Sequence, residues 1–262
     1  MKSIGMITFH FANNFGAVLQ TFALYKVLTS MPNCEVEIIP FRKKEYQYLQ
    51  NPTSMEQRML ENKLKKLRGF LKRECNLAEE DVSFLEQYKK FDYYVAGSDQ
   101  IWRIGANNVW SDYYFLSFAP EGSKCFSYAS SIGMPVTSRR LKRELFEKFL
   151  PRFKCVSVRE KEHVRFVSEC AKQPCFWVLD PTLLLTKNDY DTLVADKKKE
   201  APFLFLFWLE NDANTFRGID FANLFAKKYN LRIIHAFYDM PDRFIMNNGG
   251  SMYYQGVEEF LW

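Results

Sequence analysis

The chain opens with a strand, a helix and a second strand in close succession, and this pattern constrains the fold more than any other feature. Residues 4–9 form an apolar run typical of a buried strand, and residues 17–28 carry apolar side chains at helical spacing. Another strand-like run follows at residues 36–40. A helix that links two strands in this way normally connects parallel neighbours, so the sequence predicts a parallel α/β sheet.

The same alternation continues along the chain. Further strands are predicted at residues 92–96, 126–129, 154–158 and 176–179, and helices at residues 51–90, at residues 139–149 and up to residue 171. A charged segment then interrupts the pattern, and a fresh unit follows with a strand at 203–209, a helix at 215–229 and a strand at 231–237. We therefore predict two Rossmann-like domains, residues 1–188 and 203–262, joined by a linker at 189–202.

The last residues predict a helix that begins but has no body or cap. Residues 256–262 carry acidic side chains in the position of a first helical turn, and the sequence then stops. Two predicted strands are too few for a stable open sheet. We expect the second domain to be incomplete and the chain to be a truncated form.

Composition excludes several classes of protein. Hydrophobic residues make up 47% and charged residues 26%, which is typical of a globular chain. The net charge of +5 is dispersed, so no nucleic-acid partner is expected. The six cysteines show no CxxC spacing, so no zinc site is expected, and a reduced, cytoplasmic location follows. The longest clean apolar run, residues 203–209, is far too short to cross a bilayer.

A basic stretch at residues 63–73 permits two interpretations. Leu64, Leu67 and Leu71 share one helical face, and cations occupy the other. Such a face is usually solvated. The alternative is peripheral contact with an anionic membrane, at its cytoplasmic side.

Polar clusters follow four of the predicted strands, where ligands of open parallel sheets collect. Because the carboxyl ends of parallel strands meet at one edge, these clusters are expected to lie together. Their candidate residues are His10, Asn13, Asn14, Gly16, Ser98, Asp99, Arg159, Asp180 and Thr182.

The cluster after the first strand has neither a dinucleotide fingerprint nor a phosphate-binding P-loop. Gly16 allows a ligand to approach the backbone, where helix N–H groups favour an anion. Equally, Asn13 and Asn14 turn the chain and cap the helix. His10 is either an acid/base group or an ordinary loop histidine.

The later clusters carry charged candidates. Arg159 can grip a phosphate or carboxylate, or form an ion pair with a neighbouring glutamate. Asp99 can orient a sugar hydroxyl, act as a base or cap a short helix, and Ser98 lies beside it. Asp180 and Thr182 line a ligand-binding cleft at this edge of the sheet, or Asp180 only fixes the turn before a proline.

Aromatic and histidine side chains near these clusters are less informative. Trp102 suits either sugar stacking or the core, with the core more common. His163 lies in a charged segment and is expected to be solvated. His235 lies in a predicted strand and faces either the cleft or the core.

Five stretches, taken in order, resemble the polysaccharide pyruvyl transferase family: residues 5–20, 91–102, 128–133, 156–161 and 178–184. Residues 186–262 resemble it only loosely. The resemblance implies a GT-B-like pair of domains and transfer of pyruvate from phosphoenolpyruvate, as a ketal, to a sugar of a surface polysaccharide or its lipid-linked precursor. No cofactor or metal is implied.

The resemblance also implies roles for residues. Arg159 would hold phosphoenolpyruvate, while the loop at 10–16 and the pair Ser98 and Asp99 would line the cleft. The family also uses a histidine in a Ser-Phe-His-Gly stretch, normally beyond the point where this chain ends, so we expect little activity. The alternatives are a nucleotide-sugar glycosyltransferase of the same architecture and a non-catalytic fragment that binds a glycan or a protein partner.

Overall fold

The computed structural model describes residues 1–41, 55–78, 82, 85, 88–103, 112–139, 141–194, 201–208, 213–237, 251–252 and 256–261. The chain divides into two compact units. One unit comprises Met1–Gln47 and Arg68–Tyr190, and the other comprises Tyr48–Leu67 and Asp191–Trp262. The domain limits at residues 188 and 202 stay predictions.

A parallel sheet of six strands forms the centre of the first unit, with the order β2-β1-β3-β4-β5-β6. Its strands are β1 (Lys2–Ile7), β2 (Cys34–Ile38), β3 (Tyr93–Ala96), β4 (Lys124–Ser127), β5 (Phe153–Val158) and β6 (Cys175–Trp177). Its helices are α1 (Phe15–Thr29), α3 (Arg143–Phe149), α4 (Val164–Ala171), the first half of α5 (Lys187–Val194) and the end of α2 (Met55–Cys75). The predicted α/β class is confirmed.

The core of this unit explains why the strand sequences are nearly continuous runs of apolar residues. Parallel strands are covered on both faces, so both sets of alternating side chains are buried. In β1, Met6 and Ile7 point to opposite faces and neither is exposed to solvent. Trp102 lies in the core, where its ring stacks on Phe115 and its Nε1 donates to the carbonyl oxygen of Tyr114.

Three sequence expectations differ from the structure. The helix predicted over residues 51–90 is α2, which ends at Cys75 and is followed by Asn76 with a left-handed φ of 51°. Lys63 on this helix is buried, whereas its cationic face was expected to be solvated. Part of the predicted linker is helical, because α5 extends to Val194.

The second unit holds a parallel sheet of three strands, β7 (Phe203–Trp208), β8 (Arg232–Phe237) and β9 (Ser251–Met252), with the helices α6 (Ala213–Tyr229) and α7 (Val257–Leu261). The short strand β9 was not predicted. Phe260 of α7 packs against Phe205 and Phe207 of β7. His235 is buried in β8, and this burial lowers the pKa of its imidazole. Among the described helices, none is long and apolar enough to span a bilayer.

Candidate functional site

Asp180 links the carboxyl ends of three strands in the first unit. One oxygen, Oδ1, accepts hydrogen bonds from the backbone nitrogen of Thr182 at 3.0 Å and from its Oγ1 at 2.8 Å. The other, Oδ2, accepts from Ser98 Oγ at 2.9 Å and from Arg159 Nη1 at 3.0 Å. Asp180 therefore fixes the turn that follows β6 and also connects it to the ends of β3 and β5.

These donors decide the charge of Asp180. Burial alone would raise the pKa of its carboxyl group. Hydrogen bonds from Thr182, Arg159 and Ser98 outweigh burial and hold the pKa of Asp180 below its ordinary value. Asp180 is therefore a carboxylate across the physiological range of pH.

Arg159 follows β5 directly and lies between two carboxylates. Its Nη1 donates to Asp180, and its Nε donates to Glu160 Oε1 at 3.3 Å. The side chain is 30% exposed, and its remaining N–H groups donate to no described residue. Burial would lower the pKa of Arg159, but the two carboxylates raise it, so the guanidinium is always charged. The ion pair with a neighbouring glutamate, one of the two alternatives from the sequence, is present, and N–H groups of Arg159 remain for a ligand.

Asp99 lies at the same edge of the sheet in a strained conformation. Its φ of 75° is in the left-handed region, which non-glycine residues adopt at a cost of about 1–3 kcal/mol. Its Oδ1 accepts from the backbone nitrogen of Gln100 at 2.7 Å. Burial raises the pKa of Asp99; Arg159 opposes this rise, and the charges of Asp180 and Glu160 add to it. Strain and a raised pKa together are typical of functional carboxyl groups.

The cluster after β1 makes mostly local contacts. Asn14 caps α1, because its Oδ1 accepts from the backbone nitrogens of Gly16 at 2.7 Å and of Ala17 at 3.3 Å. His10 is buried, with its Nδ1 at 3.3 Å from the carbonyl oxygen of Thr8, and Asn13 is half-buried. The structure does not join Asn14 or Gly16 to Arg159, and a binding role for these residues stays a prediction.

The ends of β1 and β3 are nevertheless joined. Thr8 Oγ1 donates to the carbonyl oxygen of Ser98 at 2.8 Å, and both side chains are buried. A β-carbon at Gly97 would lie 3.0 Å from Thr8 Cβ, so glycine allows this close approach. Ser98 is thereby placed to donate to Asp180.

Sequence reasoning considered Glu160 only as an ion-pair partner of Arg159, and it did not choose Tyr128, Ser131 or His163 at this edge as candidates. Glu160 accepts from Arg159 and from Ser131 Oγ, which lies at 2.6 Å. Tyr128 follows β4, and burial and the charge of Asp180 raise the pKa of its phenol. His163 was expected to be solvated, which is wrong: it is 3% exposed, with its Nδ1 3.3 Å from Glu160 Oε2. Ser131, Glu160 and His163 follow predicted strands and Tyr128 lies in the strand predicted at residues 126–129, and this position was the signal available.

No group of metal-ligating side chains is assembled among the residues that the structure describes. The site consists instead of one guanidinium, three carboxyl groups and several hydroxyl groups. Such a set can hold an anion, orient sugar hydroxyls and exchange protons.

Comparisons with known proteins give one family and a distant structural neighbour. The family model described as polysaccharide pyruvyl transferase matches residues 14–261. A solved structure described as an S. aureus MnaA-UDP co-structure has a TM-score of 0.46 and 12% sequence identity. That alignment covers 92% of this chain but only 64% of the MnaA chain. No curated protein matches the sequence significantly.

The family match extends further along the chain than the motifs do. Residues 186–261 resemble the family only loosely by motif, yet the match continues through them to Leu261. The first unit contributes the clustered polar residues at the ends of its strands, and the match includes Ser98, Asp99, Arg159 and Asp180. The chain therefore belongs to the polysaccharide pyruvyl transferase family.

Proposed function

We propose that this chain transfers the pyruvyl group of phosphoenolpyruvate, as a ketal, to a sugar of a surface polysaccharide or of its lipid-linked precursor. Family membership supports the class of reaction. The observation that carries the proposal is Arg159, a partly exposed guanidinium with N–H groups left over for a ligand at the carboxyl ends of the strands.

The reaction requires proton transfer by acid/base groups and a site that binds the anionic donor. The methylene carbon of the donor gains a proton, two hydroxyl oxygens of the sugar bond to the neighbouring carbon, and the bond from that carbon to the phosphate oxygen breaks. One hydroxyl proton is taken up by the new methyl group and the other by the released phosphate. A carboxyl group whose pKa lies above its ordinary value suits these proton transfers, and the raised pKa of Asp99 favours it for this role.

Arg159 would bind the carboxylate or the phosphate of the donor. Asp180 and Glu160 already offset its charge, so its contribution would come from directed hydrogen bonds more than from net positive potential. Ser98 and Thr182 would hold Asp180 in place. His10, Asn13, Asn14 and Gly16 are the proposed lining of the cleft on the side of α1. The whole protein would then work at the cytoplasmic face of the membrane.

Titration calorimetry with phosphoenolpyruvate tests the donor site. Arg159→Ala should weaken binding about tenfold or more, because a charge-assisted hydrogen bond contributes about 1.5–3 kcal/mol. Arg165→Ala is the matched control, since the Arg165 side chain is 91% exposed on α4 and pairs with Glu169 on the same helix. It should bind the donor like the unmodified protein.

Two outcomes would count against the proposal. If Arg159→Ala binds phosphoenolpyruvate as tightly as the unmodified chain, Arg159 is structural. If the unmodified chain binds a uridine diphosphate sugar but not phosphoenolpyruvate, the glycosyltransferase alternative is favoured. Release of inorganic phosphate with a panel of sugar acceptors then measures catalysis itself.

A further inference from the structure

Glu160 contacts three side chains from different elements of the first unit. Its Oε1 accepts from Ser131 Oγ at 2.6 Å and from Arg159 Nε at 3.3 Å. Its Oε2 lies 3.3 Å from His163 Nδ1. Glu160 occupies the N-cap position of the short turn Lys161–His163, but its side chain caps no backbone nitrogen there. Its carboxylate therefore interacts with these side chains and does not cap the turn.

Glu160 and Asp180 hold the guanidinium of Arg159 at two different nitrogens. Asp180 binds Nη1, at one end of the group, and Glu160 binds Nε, at the base of the group. One carboxylate alone would leave the long side chain free to rotate about that contact. Two contacts at separate nitrogens fix the plane of the guanidinium and leave its other N–H groups in a defined position.

Glu160 is itself supported by buried groups. Ser131 is fully buried in the segment that follows β4, and His163 is 3% exposed at the start of α4. The glutamate side chain is 23% exposed. Because its partners belong to the packed interior, the carboxylate stays in place when a ligand arrives.

We propose that Glu160 is a positioning residue, which orients Arg159 so that its unshared N–H groups meet the anionic end of the donor. That the bound anion is the donor phosphoenolpyruvate rests on the proposed function. Glu160 itself need not touch the donor, and its effect is transmitted through Arg159.

If Glu160 acted only through its charge, its removal would have the opposite effect on donor affinity. A carboxylate beside an anion site repels the anion, so its removal should tighten donor binding if charge were all that mattered. Glu160→Gln removes the charge but keeps an oxygen that can accept from Ser131 and Arg159. Glu160→Ala removes both the charge and the acceptor.

Affinity for phosphoenolpyruvate separates these roles. We expect Glu160→Ala to weaken donor binding about tenfold and Glu160→Gln to stay within about threefold of the unmodified protein. Glu162→Ala is the matched control, since Glu162 is an exposed acid two residues away, and it should change nothing. Equal or tighter binding by Glu160→Ala would overturn the proposal.

The reactivity of Arg159 gives a readout that does not need the donor. Phenylglyoxal modifies accessible arginines, and the modified peptide is quantified by mass spectrometry. Glu160→Ala should speed modification of Arg159 several-fold, while Glu160→Gln should react like the unmodified protein. An unchanged rate in Glu160→Ala refutes the positioning role, whereas failure of the unmodified chain to bind phosphoenolpyruvate refutes only the proposed function. If Glu160→Ala does not fold, Ser131→Ala removes the shortest hydrogen bond to Glu160 and should speed modification in the same way.

Discussion

Two aspartates at one edge of the sheet illustrate how local contacts set the charge of a residue. Asp180 accepts four hydrogen bonds from Ser98, Arg159 and Thr182. Asp99 accepts one from the backbone of Gln100. Both residues are partly buried, yet the pKa of Asp180 is lowered and that of Asp99 is raised. Burial raises the pKa of both carboxyl groups, and only Asp180 has enough hydrogen-bond donors to reverse the direction of the shift.

Asp99→Asn should therefore stabilise the folded protein at neutral pH. Burial raises the pKa of Asp99, so ionisation of this carboxyl group opposes folding as the pH rises through its folded pKa. Below its ordinary pKa of about 3.9 the group is protonated in both states, and the gain from the substitution should vanish. Asparagine also tolerates the left-handed backbone of residue 99. Thermal unfolding of both proteins between about pH 2 and pH 8 measures the difference.

Asp180→Asn is the control for this experiment, with the opposite sign expected. The lowered pKa of Asp180 contributes stability above its ordinary pKa, and this stability is lost as the pH falls through the folded pKa. The variant should be less stable than the unmodified protein at neutral pH and approach it in acid. A destabilised Asp99→Asn at neutral pH would show that the contacts of the Asp99 carboxylate outweigh its burial.

At the level of elements, the long and strongly periodic segments were predictable from sequence. The opening strand, α1 and β2 were found because apolar spacing and strand order are local properties of the chain. The end of α2 was missed because a charged, helix-compatible sequence continues beyond Cys75, where Asn76 adopts a left-handed φ. The strand β9 has two residues, too few for any periodic signal.

The candidate site was predictable only as a set of positions. Parallel order places the residues after β3, β5 and β6 at one edge, so the order of strands along the chain is enough to group Ser98, Arg159 and Asp180. Their pairing does not follow from that order, because the choice between Asp180 and a neighbouring glutamate as the partner of Arg159 depends on side-chain distances. In the structure Arg159 forms ion pairs with both Asp180 and Glu160.

A pair of glycines tests how tightly the elements of the first unit are packed. A β-carbon at Gly5 in β1 would lie 2.5 Å from the ring of Phe91, so Gly5→Ala must displace a buried aromatic side chain. We expect a loss of about 1–3 kcal/mol in the free energy of unfolding. At Gly69 in α2 the nearest atom is the flexible end of Arg73 at 3.5 Å, and Gly69→Ala should gain about 0.5–1 kcal/mol.

Urea unfolding followed by circular dichroism measures both glycine variants. An equal gain in stability from both variants would show that Phe91 moves aside without cost, and that the packing of β1 against Phe91 is looser than the distances indicate. A stabilised Gly69→Ala together with a destabilised Gly5→Ala would support the packing described for both elements.

For the whole molecule, the candidate site and the family match cover different parts of the chain. Every candidate residue lies in the first unit, whereas the family match continues through the second unit to Leu261. The first unit thus carries the proposed donor site at the ends of its strands.

The six cysteines report on the integrity of the first unit as a whole, because they are distributed over its strands and helices and none is in a disulfide. Cys75, Cys125, Cys170 and Cys175 are buried, and burial raises the pKa of each thiol, that of Cys175 to about 12. Cys34 and Cys155 are half-buried. Because the thiolate is the reactive form, the buried four should react only as fast as the surrounding structure opens.

A thiol reagent such as dithionitrobenzoate should therefore modify two thiols quickly in the native protein at neutral pH and all six in denaturant. Peptide mapping should place the fast reactions at Cys34 and Cys155. Phosphoenolpyruvate should leave their rates unchanged, since neither residue belongs to the candidate site. Fast modification of Cys125 or Cys170, both fully buried, would mean that the sheet and α4 open readily, and that the site at the ends of the strands is less rigid than its hydrogen bonds indicate.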